Sequence, residues 1–300
     1  MSSLVPTGAV TGVADSTTPP PVPAKRHSLI LQILKKVQIM CELLGISSSR
    51  PVNTQELLHA FRRRGGETAD NSDGWGIAFL RADRFTLHKE PLPAAHSQGF
   101  VELAASVHTD LLIGHVRKAR LPRVNTLANT HPFLHTCCGR EWVFAHNGLV
   151  PEAIELAHRD PHPPCTPAGD TDSEHAFCHL LENISRHFHE PPAAGVAPWF
   201  TALAALSGVI SVHGKFNFLI SDGVHLIAYG HDRLHYRERR GDEETEEAWI
   251  ATEPLTAEAW QPFETGELRV YRCGRLVDRV PAPRATTSTA VTIDHSMNAA

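Results

Sequence analysis

The sequence predicts a layered α+β fold, with sheets inside and helices outside. Three observations carry this. Short apolar runs of strand length fill the first half of the chain, two helical periodicities follow in the middle, and strand-like runs return to the end. No internal repeat is apparent.

The ordered texture begins at Cys41, where CELLGIS is a compact strand-like run. Asn53 to Arg64 carries Leu57, Leu58 and Phe61 at helical spacing, with Asn53 or Thr54 as the N-cap. A turn-rich stretch, GGETADNSDG, precedes the strand WGIAFL, and FTLHKE reads as its hairpin partner. Residues 99–109 suit a helix, and LLIGHVR and WVFAHNG are apolar strands that end in polar residues. Residues 172–188 place Ala176, Phe177, Leu180, Leu181 and Ile184 on one helical stripe, and residues 196–212 form a second helix. FNFLISDG, HLIAYG, AWIATEP and LRVYRCGRLV complete the strands.

Both ends differ from this core. Residues 1–24 are rich in Ser, Thr, Pro, Gly, Ala and Val and cannot bury a core. Residues 25–39, KRHSLILQILKKVQI, could form a short amphipathic helix but make a poor secretory signal. A single acidic residue, Asp15, in residues 1–40 also suits a transit peptide. The expected organisation is a disordered or non-native leader at 1–39, one domain at 40–280, and a flexible tail at 281–300.

The net charge of −5 gives no electrostatic reason to expect nucleic acid or an anionic membrane. No run approaches the length that spans a bilayer. The 6 cysteines are scattered without a C-x-x-C pair, so reduced thiols in a cytoplasmic protein are the simpler expectation.

The dipeptide Met40-Cys41 is informative, because it lies where disordered texture gives way to ordered texture. A cysteine at the start of a chain has a free α-amine beside its sulfur. That amine, with a pKa of about 7.7–8.0, can take the thiol proton near neutral pH without a separate histidine. The alternative is a buried strand cysteine.

Five segments then occur in order: MCELLGIS (40–47), NSDGWGIAF (71–79), GHVRKA (114–119), NTHPF with AHNG (129–133 and 145–148), and DTDSE (170–174). Together they resemble the class II glutamine amidotransferases, and in particular the small stand-alone bacterial members that begin Met-Cys-Glu-Leu-Leu-Gly. The resemblance runs from residue 40 to about residue 275. It implies the four-layer αββα sandwich of the N-terminal-nucleophile hydrolases. Cys41 would attack the side-chain amide of glutamine and form a γ-glutamyl thioester. Asn147 and Gly148 would form the oxyanion hole, although Asn-Gly is also a hairpin-turn pair. Arg117 would clamp the α-carboxylate through its planar fork. Asp172 would hold the α-ammonium, while also suiting an N-cap. An Arg and Asp pair selects a zwitterion, which points to a free amino acid rather than a peptide amide. Trp75 and His131 would border the substrate, with a core tryptophan and a structural histidine as the alternatives, and His146 is placed likewise. No cofactor and no metal are implied.

Two departures stand out. Better-known members carry Thr or Ser three residues after the clamp arginine, where this chain has Arg120. As written, Cys41 is joined to Met40, so its nitrogen is an amide and cannot act as base. Translation from Met40, or removal of the leader, is therefore expected. Ammonia would pass to an acceptor or to a partner synthase. Three other readings stay open: a γ-glutamyl hydrolase acting on a conjugate, a metal-dependent hydrolase built on Asp172, His175 and His179, and a binding domain without catalysis.

Overall fold

The computed structural model describes residues 41–119, 124–155, 163–189, 198–240 and 244–282. The expectations for 1–39, for Arg120 and for all but the start of 281–300 fall outside these residues.

Two antiparallel sheets form the centre. The first contains β1 (Glu42–Asn53), β2 (Trp75–Arg81), β3 (Arg84–Glu90), β4 (His108–Val116), β9 (His235–Arg240), β10 (Glu246–Ala251) and β11 (Gln261–Pro262), in the order β11-β9-β10-β1-β4-β2-β3. The second contains β5 (Phe133–Cys137), β6 (Arg140–Leu149), β7 (Lys215–Ser221), β8 (Leu226–Gly230), β12 (Glu267–Arg272) and β13 (Arg275–Val280), in the order β13-β12-β8-β7-β6-β5. Four helices flank them: α1 (Gln55–Arg64), α2 (Gln98–Ser106), α3 (Asp172–His189) and α4 (Pro198–Ser211).

Strand side chains alternate between faces, and here both faces are covered. Leu43, Ala78, Leu111 and Ile113 of the first sheet meet Val143, Ala145, Leu219, Leu226 and Ala228 of the second in one apolar layer. Their neighbours Leu44, Ile46, Ile77, Phe79 and Leu112 face the other way, onto Leu57, Leu58 and Phe61 of α1 and Phe100 and Leu103 of α2. On the far side, Phe144, Phe218, Ile220 and Ile227 pack against Phe177, Leu181 and Ile184 of α3 and Leu203 of α4. The result is four layers, α-β-β-α. Burying each such side chain contributes about 1.5–3 kcal/mol.

Local chemistry fixes the ends. Ser97 caps α2 by accepting from the Phe100 amide at 2.9 Å. Arg62, Arg63 and Arg64 close α1, where cations suit the helix dipole. The run LRVYRCGRLV is not one strand but the β12–β13 hairpin, turned at Cys273-Gly274. β1 also runs past its apolar half to Asn53, with a register shift between Ser47 and Val52.

The cysteine expectation needs correction. Cys165, in the segment before α3, is disulfide-bonded to Cys178 on α3, with Cα atoms 5.1 Å apart. Among the described residues, Cys41, Cys137, Cys138 and Cys273 are free. No helix of the described residues is long and apolar enough to cross a membrane.

Candidate active site

Cys41 directly precedes β1, and β1 pairs with β4 so that Glu42 lies opposite Val116. That register brings the residues after β4 beside the sulfur. The Lys118 amide donates to Cys41 Sγ at 3.2 Å, and the thiol donates back to the Lys118 carbonyl at 3.4 Å. Glu42 is buried and held by Arg64 of α1 through bonds of 2.7 and 2.8 Å, which anchors the residue next to the sulfur.

A cavity of about 350 Å³ opens over this point, lined by Cys41, Arg117, His131, His146, Gly148 and Asp172 among others. It has room for an amino-acid-sized ligand. A larger cleft of about 630 Å³ lies elsewhere, along Val52, Glu56, Arg239, Glu247 and Trp249, and is lined by no cysteine.

Arg117 follows β4 and is nearly buried. One guanidinium nitrogen donates to the Val124 carbonyl at 3.2 Å and to Asn125 Oδ1 at 3.0 Å. Its backbone is locked as well, with the amide donating to the Gly74 carbonyl at 2.7 Å. Asp172 opens α3. Its oxygens accept from the Val150 amide and the Ser173 amide at 2.7 and 2.8 Å. The cap of α3 is Thr171 rather than Asp172, since Thr171 Oγ1 accepts from the Glu174 amide at 3.2 Å. Asp172 therefore stands inside the first turn, where an anion suits the helix N-terminus.

Burial pushes the Cys41 thiol up, while the Lys118 amide and the Arg117 charge pull it down and Asp172 opposes them. Burial therefore favours the neutral thiol, and a nearby base is needed to ionise it.

AHNG is not a turn. Asn147 and Gly148 lie within β6, opposite Asn217 and Phe216 of β7. A Cβ on Gly148 would sit 1.8 Å from the Lys215 carbonyl oxygen, and its φ is +150°. Only glycine fits this close approach. Asn147 is fully buried behind the nucleophile. Its amide nitrogen donates to the Cys41 carbonyl and to Thr252 Oγ1.

Three histidines stand close by. His146 Nε2 reaches the Lys215 carbonyl at 3.0 Å and Nδ1 reaches Ser173 Oγ at 2.8 Å. The carbonyl can only accept, so Nε2 carries the proton and Ser173 donates to Nδ1. Burial lowers the pKa of His146 against the pull of Asp172. His115 and His131 stack with centroids 4.2 Å apart, and no ring nitrogen of either makes a hydrogen bond of normal geometry. Burial, with Arg117 and neighbouring imidazoles adding, takes His115 down to about 3 and His131 well below its ordinary value. Both are neutral rings, and His131 lines the cavity.

Trp75 does not join the site. Its side chain lies in the layer facing α1 and α2, edge-on to Phe100, and donates to Glu90 Oε2 at 3.1 Å. The reason is the strand alternation of β2, which turns residue 75 away from the second sheet. Its neighbour Gly76 matters more: a Cβ there would lie 2.2 Å from the His131 carbonyl oxygen. The bare backbone lets the His131-Pro132 segment, joined by a cis peptide, lie against β2. The Asp172, His175, His179 trio does not gather either; among the described residues the metal-capable cluster is His135, Cys165 and Cys178.

Sequence reasoning missed Lys118, Thr252 and Asn217. Thr252 Oγ1 accepts from the Leu43 amide at 2.9 Å as well as from Asn147. Asn217 accepts from the His231 and Asp232 amides and donates to the Asn147 carbonyl. A buried asparagine inside the apolar run FNFLIS is a signal that could have found it.

Comparison with known proteins gives the family and the fold. The family model for class-II glutamine amidotransferases matches residues 40–245. YafJ of Escherichia coli (strain K12), provisionally named a glutamine amidotransferase, is 33% identical over 263 residues, covering 79% of this chain and 100% of YafJ. The crystal structure of a predicted glutamine amidotransferase from Pseudomonas aeruginosa PA01 superposes with a TM-score of 0.56 at 30% identity, covering 79% of this chain and 100% of that one. Glutamine phosphoribosylpyrophosphate amidotransferase from B. subtilis shares the fold at 19% identity and a TM-score of 0.55, over 82% of this chain and 50% of its own. The four-layer core is thus that of the N-terminal-nucleophile hydrolases, and the chain belongs to the class-II glutamine amidotransferases.

Proposed function

We propose that this chain hydrolyses the side-chain amide of glutamine through a thioester on Cys41, with residues 40–280 as the catalytic domain. Membership of a glutamine amidotransferase family supports glutamine as substrate and ammonia as product. The observation that carries the rest is convergence: Cys41, Arg117 and Asp172, from three distant segments, line one cavity.

In this reading Arg117 takes the α-carboxylate with the nitrogens that bond to no described residue, and Asp172 takes the α-ammonium. The γ-carboxamide then lies over Cys41. The free α-amine of Cys41 accepts the thiol proton, and the sulfur forms a bond to the carbonyl carbon. Gly148 N–H and the Asn147 amide hydrogen that otherwise goes to the Cys41 carbonyl stabilise the oxyanion, at roughly 3–4 kcal/mol per donor. Collapse breaks the C–N bond, and ammonia leaves with the proton from the ammonium. Water, deprotonated by the same amine, cleaves the thioester to glutamate and restores the thiol. The base exists only once every residue through Met40 is gone. A family match that begins at residue 40 supports this.

A second reading has its own support. Val124 and Ile154 line the cavity yet are exposed by 42% and 49%. An apolar mouth suits a γ-glutamyl conjugate whose leaving amine is larger than ammonia.

The test compares ammonia release from glutamine by a chain starting at Met1 and one starting at Met40, with intact mass recorded for each. The shorter chain is expected to lose Met40, turn over glutamine and die on Cys41→Ala, while any longer chain that keeps its leader is silent. Turnover by a chain whose mass retains the leader would remove the amine base. Silence of both on glutamine, with turnover of a γ-glutamyl conjugate, would select the second reading.

A further inference from the structure

Beyond the cavity, α3 carries a second cluster of chemistry. Cys178 on α3, Cys165 in the segment before it, and His135 on β5 each bring one ligand atom within 4.8 Å of the others. Both sulfurs belong to buried residues. His135 Nε2 lies 3.0 Å from Glu174 Oε1, and the other Glu174 oxygen accepts from the Gly169 amide at 2.8 Å. An anion facing Nε2 draws the ring proton there and leaves Nδ1 with its lone pair. Metal-bound histidines take this arrangement, the outer N–H donated to a carboxylate.

We propose that, when the Cys165–Cys178 bond is reduced, the two thiolates and His135 form a zinc-class metal site with Glu174 as the supporting carboxylate. This departs from the sequence expectation of no metal. Two soft sulfurs and an imidazole select zinc over magnesium or calcium. Three protein ligands leave the fourth position to water. Glu174 and Cys178 are four apart on α3, so ligand and support share one helix face.

The chemistry balances with a dithiol or phosphine reductant. It supplies two electrons, solvent or thiol supplies two protons, and the S–S bond becomes two S–H groups. The ion then displaces both thiol protons to solvent. Tetrahedral zinc sets its sulfurs about 3.8 Å apart, from Zn–S bonds of about 2.3 Å. Cα atoms at 5.1 Å leave that within side-chain rotation.

The segment between the two cysteines carries Asp170, Thr171, Asp172 and Ser173, all of which line the glutamine cavity. An ion there would tie that wall to β5. The test does not depend on catalysis.

The full chain, with Cys41→Ala to remove the cavity thiol, is reduced with a phosphine, loaded with zinc chloride, desalted and assayed with a chromogenic chelator; cobalt replaces zinc in a parallel sample. Expected are one zinc per chain, a cobalt spectrum with thiolate charge transfer and tetrahedral bands, and a higher Tm with zinc. Cys178→Ser is expected to lose all three, and His135→Gln to weaken zinc on the order of tenfold or more. Zinc in the reduced, folded protein no higher than in Cys178→Ser overturns the assignment. Should Cys178→Ser fail to fold, unchanged zinc affinity in His135→Gln overturns it instead.

Discussion

Arg117 shows how a single residue divides its labour. One of its nitrogens holds the 124–125 loop, and the residue lines a cavity that also contains Cys41 and Asp172. Burial lowers its pKa, with Cys41 and Asp73 opposing, yet a guanidinium remains charged at any working pH. Lysine would keep the charge and lose the fork. Arg117→Lys in the chain starting at Met40 is therefore expected to raise KM for glutamine about 10-fold or more, close to 1.4 kcal/mol, with a smaller change in kcat. Steady-state kinetics check this; an unchanged KM would remove Arg117 from carboxylate recognition. The gathering of Cys41, Arg117, Asp172 and Gly148 around one cavity was legible in the sequence, because each sits in a short motif with a chemical purpose. Thr252 was not, because its value comes from accepting the Leu43 amide across 209 residues, which no local pattern records. Trp75 was misplaced for a related reason: the motif sets it at a turn entering a strand expected near the nucleophile, but the pleat of β2 turns its ring to the opposite face.

At the scale of elements, strong periodicity was readable and weak periodicity was not. The stripe Ala176, Phe177, Leu180, Leu181, Ile184 fixed α3 to within a residue of Asp172–His189. β9, with the sequence HYRERR, has no apolar alternation and was invisible. It holds through β10: Arg237 and Arg239 lie over the Trp249 ring at 5.5 and 4.6 Å, and Arg237 pairs with Glu258. Such cross-strand contacts exist only after the sheet forms. The cap of α3 was displaced by one residue, and this has a consequence. Thr171→Ala removes the oxygen that accepts the Glu174 amide and should cost about 1 kcal/mol, read as a lower denaturant midpoint at unchanged slope. Because Thr171 also borders the cavity and precedes Asp172, KM for glutamine should rise with it. A stability loss with no change in KM would mean that the Val150 and Ser173 amides hold Asp172 without help from Thr171.

At the scale of the whole molecule, the two-sheet core holds three imidazoles, His115, His131 and His146, at 4% exposure or less. The sequence shows 20 histidines and gives no means of telling these from the surface ones; only the crossing of β4, β6 and the 129–133 segment does. Burial, with Arg117, Lys89 and the neighbouring imidazoles adding, pushes His115 down to about 3 and His131 well below its ordinary value. In the unfolded chain both return to about 6.5. Below that pH the unfolded state takes up protons that the folded state refuses. The stability is therefore complete above about pH 6.5 and is lost as pH falls towards 3. At pH about 5.5 each ring costs roughly 1.4 kcal/mol, so the pair costs about 3 kcal/mol. His146 acts in the same direction, moderated by Asp172. The carboxyls of Glu174, Asp222 and Asp232 also have lowered values, but they give up stability only at lower pH, so the window from about 6.5 to 5 belongs to the histidines. Urea unfolding at pH about 7 and about 5.5 should show that loss, and His131→Asn should remove close to half of it. A midpoint that does not move across this window would mean that the rings are already protonated, and would require acceptors around His115 and His131 that this packing does not provide.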